Sequence, residues 1–179
     1  MHKKISADFK KNLSDNFFLR VLQVSDISKA YINWLNSHEI MQYTEQTRTT
    51  HNEQNVASFV SSMLDSSENY LFGIFEGANH VGNIKIGPID SFHKTADISY
   101  VIGDQKYWGR GIASMAIKAI SEIAFMELEL EKIYAGVYEN NIGSIKALQK
   151  NNFIQEGHFK GDVIFKGKRI DTFRYGLKK

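Results

Sequence analysis

The chain has no cysteine among its 179 residues. Disulfides, a thiolate nucleophile and any metal site built on sulfur are therefore excluded. Proline occurs once, at Pro88, so no proline-rich linker divides the sequence. No run approaches the roughly 20 consecutive apolar residues of a membrane helix. The basic start MHKKISADFKKNLSDN lacks an apolar core of signal-peptide length, so a cytoplasmic location is the default expectation. Charge of one sign is also scarce in excess: 22 basic residues face 20 acidic ones, a net charge of +2. A nucleic-acid partner, which calls for a densely basic surface, is not expected. His2, His38, His51, His80, His93 and His158 show no ligand-like pairing such as H-x-x-x-H, so no metal is expected.

What is present suits one enzyme-sized domain. A hydrophobic content of 42% over this length can bury a substantial core. No repeat, low-complexity segment or shift in composition marks a boundary, so residues 1–179 read as a single domain, with 1–15 an N-terminal extension free to be flexible. Phe17 to Val24 predicts a first strand. Asp26 can cap a helix running to about Asn36, whose Ile27, Tyr31, Trp34 and Leu35 share a face. The polar stretch from His38 to Asn52 is the least regular part, and Thr50 or Asn52 can cap a second helix from about Glu53 to Leu64. Alternation then predicts strands over Asn69 to Glu76, His80 to Ile89 and Thr95 to Ile102, the first pair joined at Gly77-Ala78-Asn79. A helix follows with Ile112, Met115, Ala116, Ala119, Ile120, Ile123 and Ala124 in the spacing of a buried stripe. Strand Lys132 to Tyr138, a short helix and two strands around Lys166-Gly167-Lys168 complete the order βααβββαβαββ.

The most informative stretch runs from Asp97 to Ala124, where DISYVIG passes through QKYWGRGIA into the striped helix. A helix start leaves backbone N–H groups unpaired at the positive end of the dipole, where an anion such as a pyrophosphate can bind. Gly109 and Gly111 remove side chains that would hold a ligand off the backbone. Ile112, Ala113 and Ser114 open the helix, and Arg110 can add a charged contact at the rim. A dinucleotide fingerprint would need glycine where Ser114 stands, and a P-loop would need a Gly-Lys-Ser/Thr run that is absent.

Trp108-Gly109-Arg110-Gly111-Ile112-Ala113 resembles the acetyl-coenzyme-A signature of the GNAT acetyltransferase superfamily, in which Gln or Arg is followed by two residues, Gly, one residue, and Gly or Ala. The first position departs from that pattern, yet Tyr-Trp-Gly-basic-Gly-x-Ala is similar to the RimJ/RimL-like branch of ribosomal-protein-alanine N-acetyltransferases. A second block, ENNIGSIKALQKNNF, resembles the family's Asn-x-x-Ser, short helix, Lys-x-Gly-Phe segment through Asn141, Ser144 and Phe153. Asn152 stands in place of the usual glycine, and asparagine is the commonest other residue at a left-handed helix end. The resemblance implies a mixed α/β, mostly antiparallel central sheet whose fourth and fifth strands splay apart. The pantetheine arm would enter there against the backbone of Tyr100, Val101 and Ile102 up to Gly103, with Asn141 holding the arm. Homodimers are common in the superfamily.

The implied reaction is attack of a neutral primary amine on the thioester in a ternary complex. An alkyl ammonium must first lose a proton, so a base or a water chain is required. Asp97 lies eleven residues before Trp108, in register with the acidic base of many superfamily members, and is the first candidate. Glu45, Glu156 and water are the alternatives. Leu148 stands where many members carry a tyrosine that protonates the departing thiolate, so that acid is missing and Ser144 takes the role given to its counterpart in the ribosomal branch. Tyr138 and Tyr175 could reach the site but read first as packing residues. Trp34, Tyr43, Glu45 and Arg48, in the two-helix insert that usually shapes the acceptor pocket, suggest a polar, partly aromatic pocket. It would suit a protein N-terminus, an amino sugar, a polyamine or an aminoglycoside. A coenzyme-A-binding sensor without catalysis and a purely structural interaction domain are the alternative readings.

Overall fold

Among the described residues, eight strands form one sheet with five α-helices on its two faces. The computed structural model describes residues 4–179, and His2 lies outside them. The strands are β1 (Lys10–Asn12), β2 (Phe17–Val21), β3 (Tyr70–Glu76), β4 (Asn79–Asp90), β5 (Thr95–Ile102), β6 (Lys132–Tyr138), β7 (Ile154–Phe165) and β8 (Lys168–Lys178). The helices are α1 (Lys29–Asn36), α2 (His38–Met41), α3 (Glu53–Asp65), α4 (Ile112–Glu122) and α5 (Ile142–Lys150). The sheet order is β1-β2-β3-β4-β5-β6-β8-β7. Every pairing is antiparallel except β5 with β6, which is parallel. Among the described residues no helix is long and apolar enough to cross a membrane.

The parallel pair is the feature that makes the site. Only Thr95, Ala96 and Asp97 pair with Lys132, Ile133 and Tyr134. Beyond them the two strands part, so the expected splay is present; it falls between β5 and β6 because β1 adds a strand at the sheet's edge.

Period-two alternation sorts the strand side chains onto two cores. Tyr70, Phe72 and Ile74 of β3, Ala96 and Ile98 of β5, and Ile133, Ala135 and Val137 of β6 pack on one face with α4 and with Leu148 of α5. On the other face Leu71 and Phe75 of β3 meet Tyr31 and Trp34 of α1 and Val56 and Val60 of α3. Fully burying a large apolar side chain such as Phe72, Ile120 or Ile123 contributes about 1.5–3 kcal/mol. The predicted α4 stripe lies in this core, and Ile117, outside the predicted set, is fully buried with it.

Several local expectations need correction. Residues 1–15 are not wholly an extension, because Lys10–Asn12 pairs with β2 and Ile5 is buried. Asp26 does not cap α1. Ser28 does so through Tyr31 N–H, while Asp26 closes a preceding 3-10 turn and pairs with Arg20 at 2.5 Å. The polar insert is more regular than its composition suggests, holding α2 and a 3-10 turn over Glu45–Arg48. Asn52 caps α3, as one of the two expected caps. Asn152 adopts φ +63° after α5, the left-handed conformation that asparagine tolerates.

Candidate active site

Pairing between β5 and β6 stops after Asp97 and Tyr134, and the predicted residues divide between the two faces of the sheet at this gap. On the α4–α5 face, the turn before α4 holds Gly109 at φ +72° and Gly111 at φ +75°. Gly111 is the N-cap residue and contributes no side-chain cap bond. Apart from the adjoining residues of the turn, no atom lies within 4 Å of a Cβ built on either glycine, so no other part of the chain covers the approach to the first-turn amides of Ile112, Ala113 and Ser114. Ile112 points its side chain into the core, so its backbone alone is available here. The residues fit an anionic, pyrophosphate-bearing coenzyme: glycines in a left-handed turn, uncapped amides and a slot beside them.

The wall of the slot is the end of β5. Gly103 N–H donates to Val81 O at 2.9 Å, so by alternation the backbone groups of Val101 face β4 and those of Tyr100 and Ile102 face the gap. Trp108 Nε1 donates to Ile102 O at 2.8 Å. The indole thus braces the strand end and occupies one acceptor position that a pantetheine amide would otherwise use. Arg110 is turned away from the helix start, with its guanidinium 3.6 Å from the Glu76 carboxylate and stacked over Phe17 and Tyr107. Ser114 is tied to the end of α5, its Oγ accepting from Asn151 Nδ2 at 3.0 Å.

Asn141 caps α5 by accepting from Ser144 N–H at 3.2 Å, which fixes Ser144 in the first turn. Its hydroxyl lies 2.6 Å from the Tyr100 hydroxyl. Burial pushes the Tyr100 phenol up to about 12. Leu148, one turn further along α5, is fully buried in the main core rather than facing the gap.

The opposite face carries the candidate acids. Asp97 is the last residue of β5 paired with β6, so it stands where the gap begins. Its carboxylate accepts from Arg174 at 3.3 Å, and the guanidinium stacks on Tyr134 at 4.2 Å. About half of each side chain is exposed, which makes the pair worth only about 0–1 kcal/mol and readily exchanged. Lys85 lies on the same face; its burial pulls its ammonium below the usual lysine range against the raising influence of Asp97. Glu45 is engaged at both oxygens, by Tyr138 Oη at 2.7 Å and Arg48 Nη1 at 2.7 Å. Burial, with Glu45 adding to it, pushes the Tyr138 phenol up to about 12, so it donates at neutral pH. Glu156 meets Lys132 at 2.6 Å beside Gly176, at the paired end of the strands and away from the opening.

Tyr43 stacks on Phe165 with centroids 5.3 Å apart and meets Tyr138 edge-on at 6.2 Å. These rings and Glu45 form one wall on the acceptor side. Trp34 does not join it. It is buried in the second core against Tyr31 and His80, directly beneath Gly103. Tyr175 is also buried, on the α4 face. Arg174 and Phe165 were outside the sequence-derived set, since only strand register carries them to this face: Arg174 lies opposite Gly136 in β6. A cavity of about 130 Å³ under the N-terminal segment and a groove of about 480 Å³ beside the far ends of α4 and α5 both lie away from the gap.

The fold is thus a mixed sheet that parts at its parallel pair, with a helix start lacking a side-chain cap beside the parting. The chain belongs to the acetyltransferase (GNAT) domain family, whose model matches residues 16–154. Among its relatives is the probable N-acetyltransferase YjcK of Bacillus subtilis strain 168, 34% identical over 110 residues, which are 58% of this chain and 59% of that protein. The chain thus spans little more than half the length of such a relative. Its fold is similar to that of RimL, a ribosomal L7/L12 α-N-protein acetyltransferase solved with coenzyme A, at TM-score 0.84 and 17% identity, covering 93% of this chain and 96% of that one. It is also similar to spermidine N-acetyltransferase from Vibrio cholerae with coenzyme A and spermine, at TM-score 0.82 and 21% identity, covering 92% and 96%.

Proposed function

We propose that this chain, acting as one GNAT domain over residues 1–179, is an acetyl-CoA-dependent N-acetyltransferase that acetylates a primary amine by direct attack in a ternary complex. The observation that carries the proposal is the two-sided gap between β5 and β6, with Gly109–Ser114 on one face and Asp97 on the other. Bound acetyl-CoA would supply the acetyl thioester. The amides of Ile112, Ala113 and Ser114 would hold its pyrophosphate, the gap-facing backbone of Tyr100 and Ile102 would receive the pantetheine arm, and Asn141 would position Ser144 beside the sulfur.

Asp97 is the proposed base, acting directly or through water. Asp97 ends the β5–β6 pairing and is held by a single exposed ion pair, whereas Glu45 on the acceptor wall is held at both oxygens and Glu156 is neutralised by Lys132 at the paired end. An incoming ammonium would displace Arg174 from Asp97, an exchange of one cation for another with little net cost at an exposed pair. The acceptor class that suits Tyr43, Phe165, Tyr138 and Glu45 is a cationic small-molecule amine such as a polyamine, since aromatic faces and a carboxylate both attract a positive charge. The relatives that act on spermidine support this reading beside that of a protein N-terminus.

Thiol release from acetyl-CoA, measured against a panel of polyamines, amino sugars and peptides, tests the function. Amine-dependent release is expected, with Asp97→Asn lowering kcat about 100-fold at neutral pH, within the usual range for a general base. Unchanged turnover in Asp97→Asn would remove that assignment. Saturable binding without release to any amine would point to a sensor instead.

A further inference from the structure

Tyr100 was read from sequence as a length of backbone lining the slot, yet its side chain makes the more specific contact. The phenol crosses from β5 to α5, 44 residues away in sequence, and its oxygen lies 2.6 Å from Ser144 Oγ and 3.4 Å from Ser144 O. We propose that Tyr100 is a positioning residue that donates its hydrogen to Ser144 Oγ, leaving the hydroxyl hydrogen of Ser144 free to point into the gap at the sulfur of the departing thiol. The inference rests on the reading of Ser144 given above.

Three features support the assignment. Ser144 is anchored at its backbone N–H by the Asn141 cap, and its Oγ lies at hydrogen-bonding distance from the Tyr100 hydroxyl. A serine hydroxyl has a single hydrogen and two acceptor lone pairs; a donor on one lone pair leaves that hydrogen for another partner. Burial keeps Tyr100 protonated, pushing it to about 12. The phenol is then a weaker acid than a thiol of ordinary pKa about 8.5, so the pair solvates a thiolate by hydrogen bonding and need not transfer a proton to it. The thiolate formed when the carbon–sulfur bond breaks leaves as the anion and is protonated by solvent. The pair thus stabilises the leaving anion by hydrogen bonding, where Leu148, buried in the core, offers no polar group.

The test uses the intact protein with coenzyme A alone. Ultraviolet absorbance of the thiolate, followed against pH, gives the pKa of the bound thiol, and calorimetry gives the affinity. The parent is expected to lower the thiol pKa relative to free coenzyme A. Tyr100→Phe, which keeps the ring and its packing, should raise it by about one unit, roughly the tenfold effect of one lost hydrogen bond. In turnover, kcat should fall about tenfold with KM for acetyl-CoA unchanged. The double variant Tyr100→Phe/Ser144→Ala should match Ser144→Ala alone, as expected when one residue acts through the other. A bound-thiol pKa that responds to Ser144→Ala but not to Tyr100→Phe would overturn the role of Tyr100 and leave that of Ser144 standing. A response to neither would overturn both. Tighter coenzyme binding in Tyr100→Phe without a pKa change would mark the bond as a latch across an empty slot and would also overturn the proposal.

Discussion

Replacing Gly111 by glutamate is expected to abolish coenzyme binding while the domain stays folded. Gly111 sits at φ +75° as the residue that opens α4, and beyond its chain neighbours no atom stands within 4 Å of the position a Cβ would take. The new side chain would therefore meet no protein atom at its root, only the space assigned to the pyrophosphate. Left-handed backbone costs a non-glycine residue about 1–2 kcal/mol, well within the roughly 5–15 kcal/mol of a typical domain. The carboxylate would itself settle on the uncapped amides of Ile112 and Ala113 and repel the phosphates electrostatically. Affinity for acetyl-CoA should fall more than about 100-fold, or roughly 3 kcal/mol, by calorimetric titration, with far-UV circular dichroism unchanged. Retained affinity would show that the coenzyme does not use this turn.

Gly103→Ala is expected to have the largest effect on stability. A Cβ there would lie 2.0 Å from the Trp34 ring, far inside contact distance. Trp34 cannot easily yield, because it is packed between Tyr31 and His80 at centroid distances of 5.7 and 5.0 Å. Overpacking of this kind costs about 3 kcal/mol, at the upper end of the usual range, which for a domain of this size lowers Tm by roughly 6–12 °C. Because Gly103 follows Ile102, a shift there would also move the gap-facing wall and raise KM for acetyl-CoA. The double variant Gly103→Ala/Trp34→Leu should recover part of the lost Tm, since the two positions share one space. A Tm unchanged in Gly103→Ala would show that α1 does not pack against the end of β5 as described.

The Trp34–Gly103 contact also shows where the sequence stops being legible. Helical spacing placed Trp34 on the apolar face of α1, but the same pattern serves a pocket wall or a core. The choice was made by His80 and Gly103, far away in the chain. Strands with strong alternation, Thr95–Ile102 and Lys132–Tyr138, have the predicted bounds because period-two patterning is a local property. β1 was missed because Lys-Lys-Asn carries no apolar alternation and is held by pairing with β2. The site divides in the same way. Gly109, Gly111, Asn141 and Ser144 announce themselves through local turn and cap chemistry. Arg174, Phe165 and the side-chain contact of Tyr100 depend on register between distant strands and on the docking of α5.

A crystal structure of the protein soaked or grown with coenzyme A tests the acetyl-transfer site most directly. The pyrophosphate is expected on the Ile112–Ser114 amides, the pantetheine arm in the gap between β5 and β6, and the sulfur within hydrogen-bonding distance of Ser144 Oγ, with Asp97 on the far side of the opening. A coenzyme seated elsewhere, or a gap left empty at saturating coenzyme, would contradict an acetyltransferase site between these two strands.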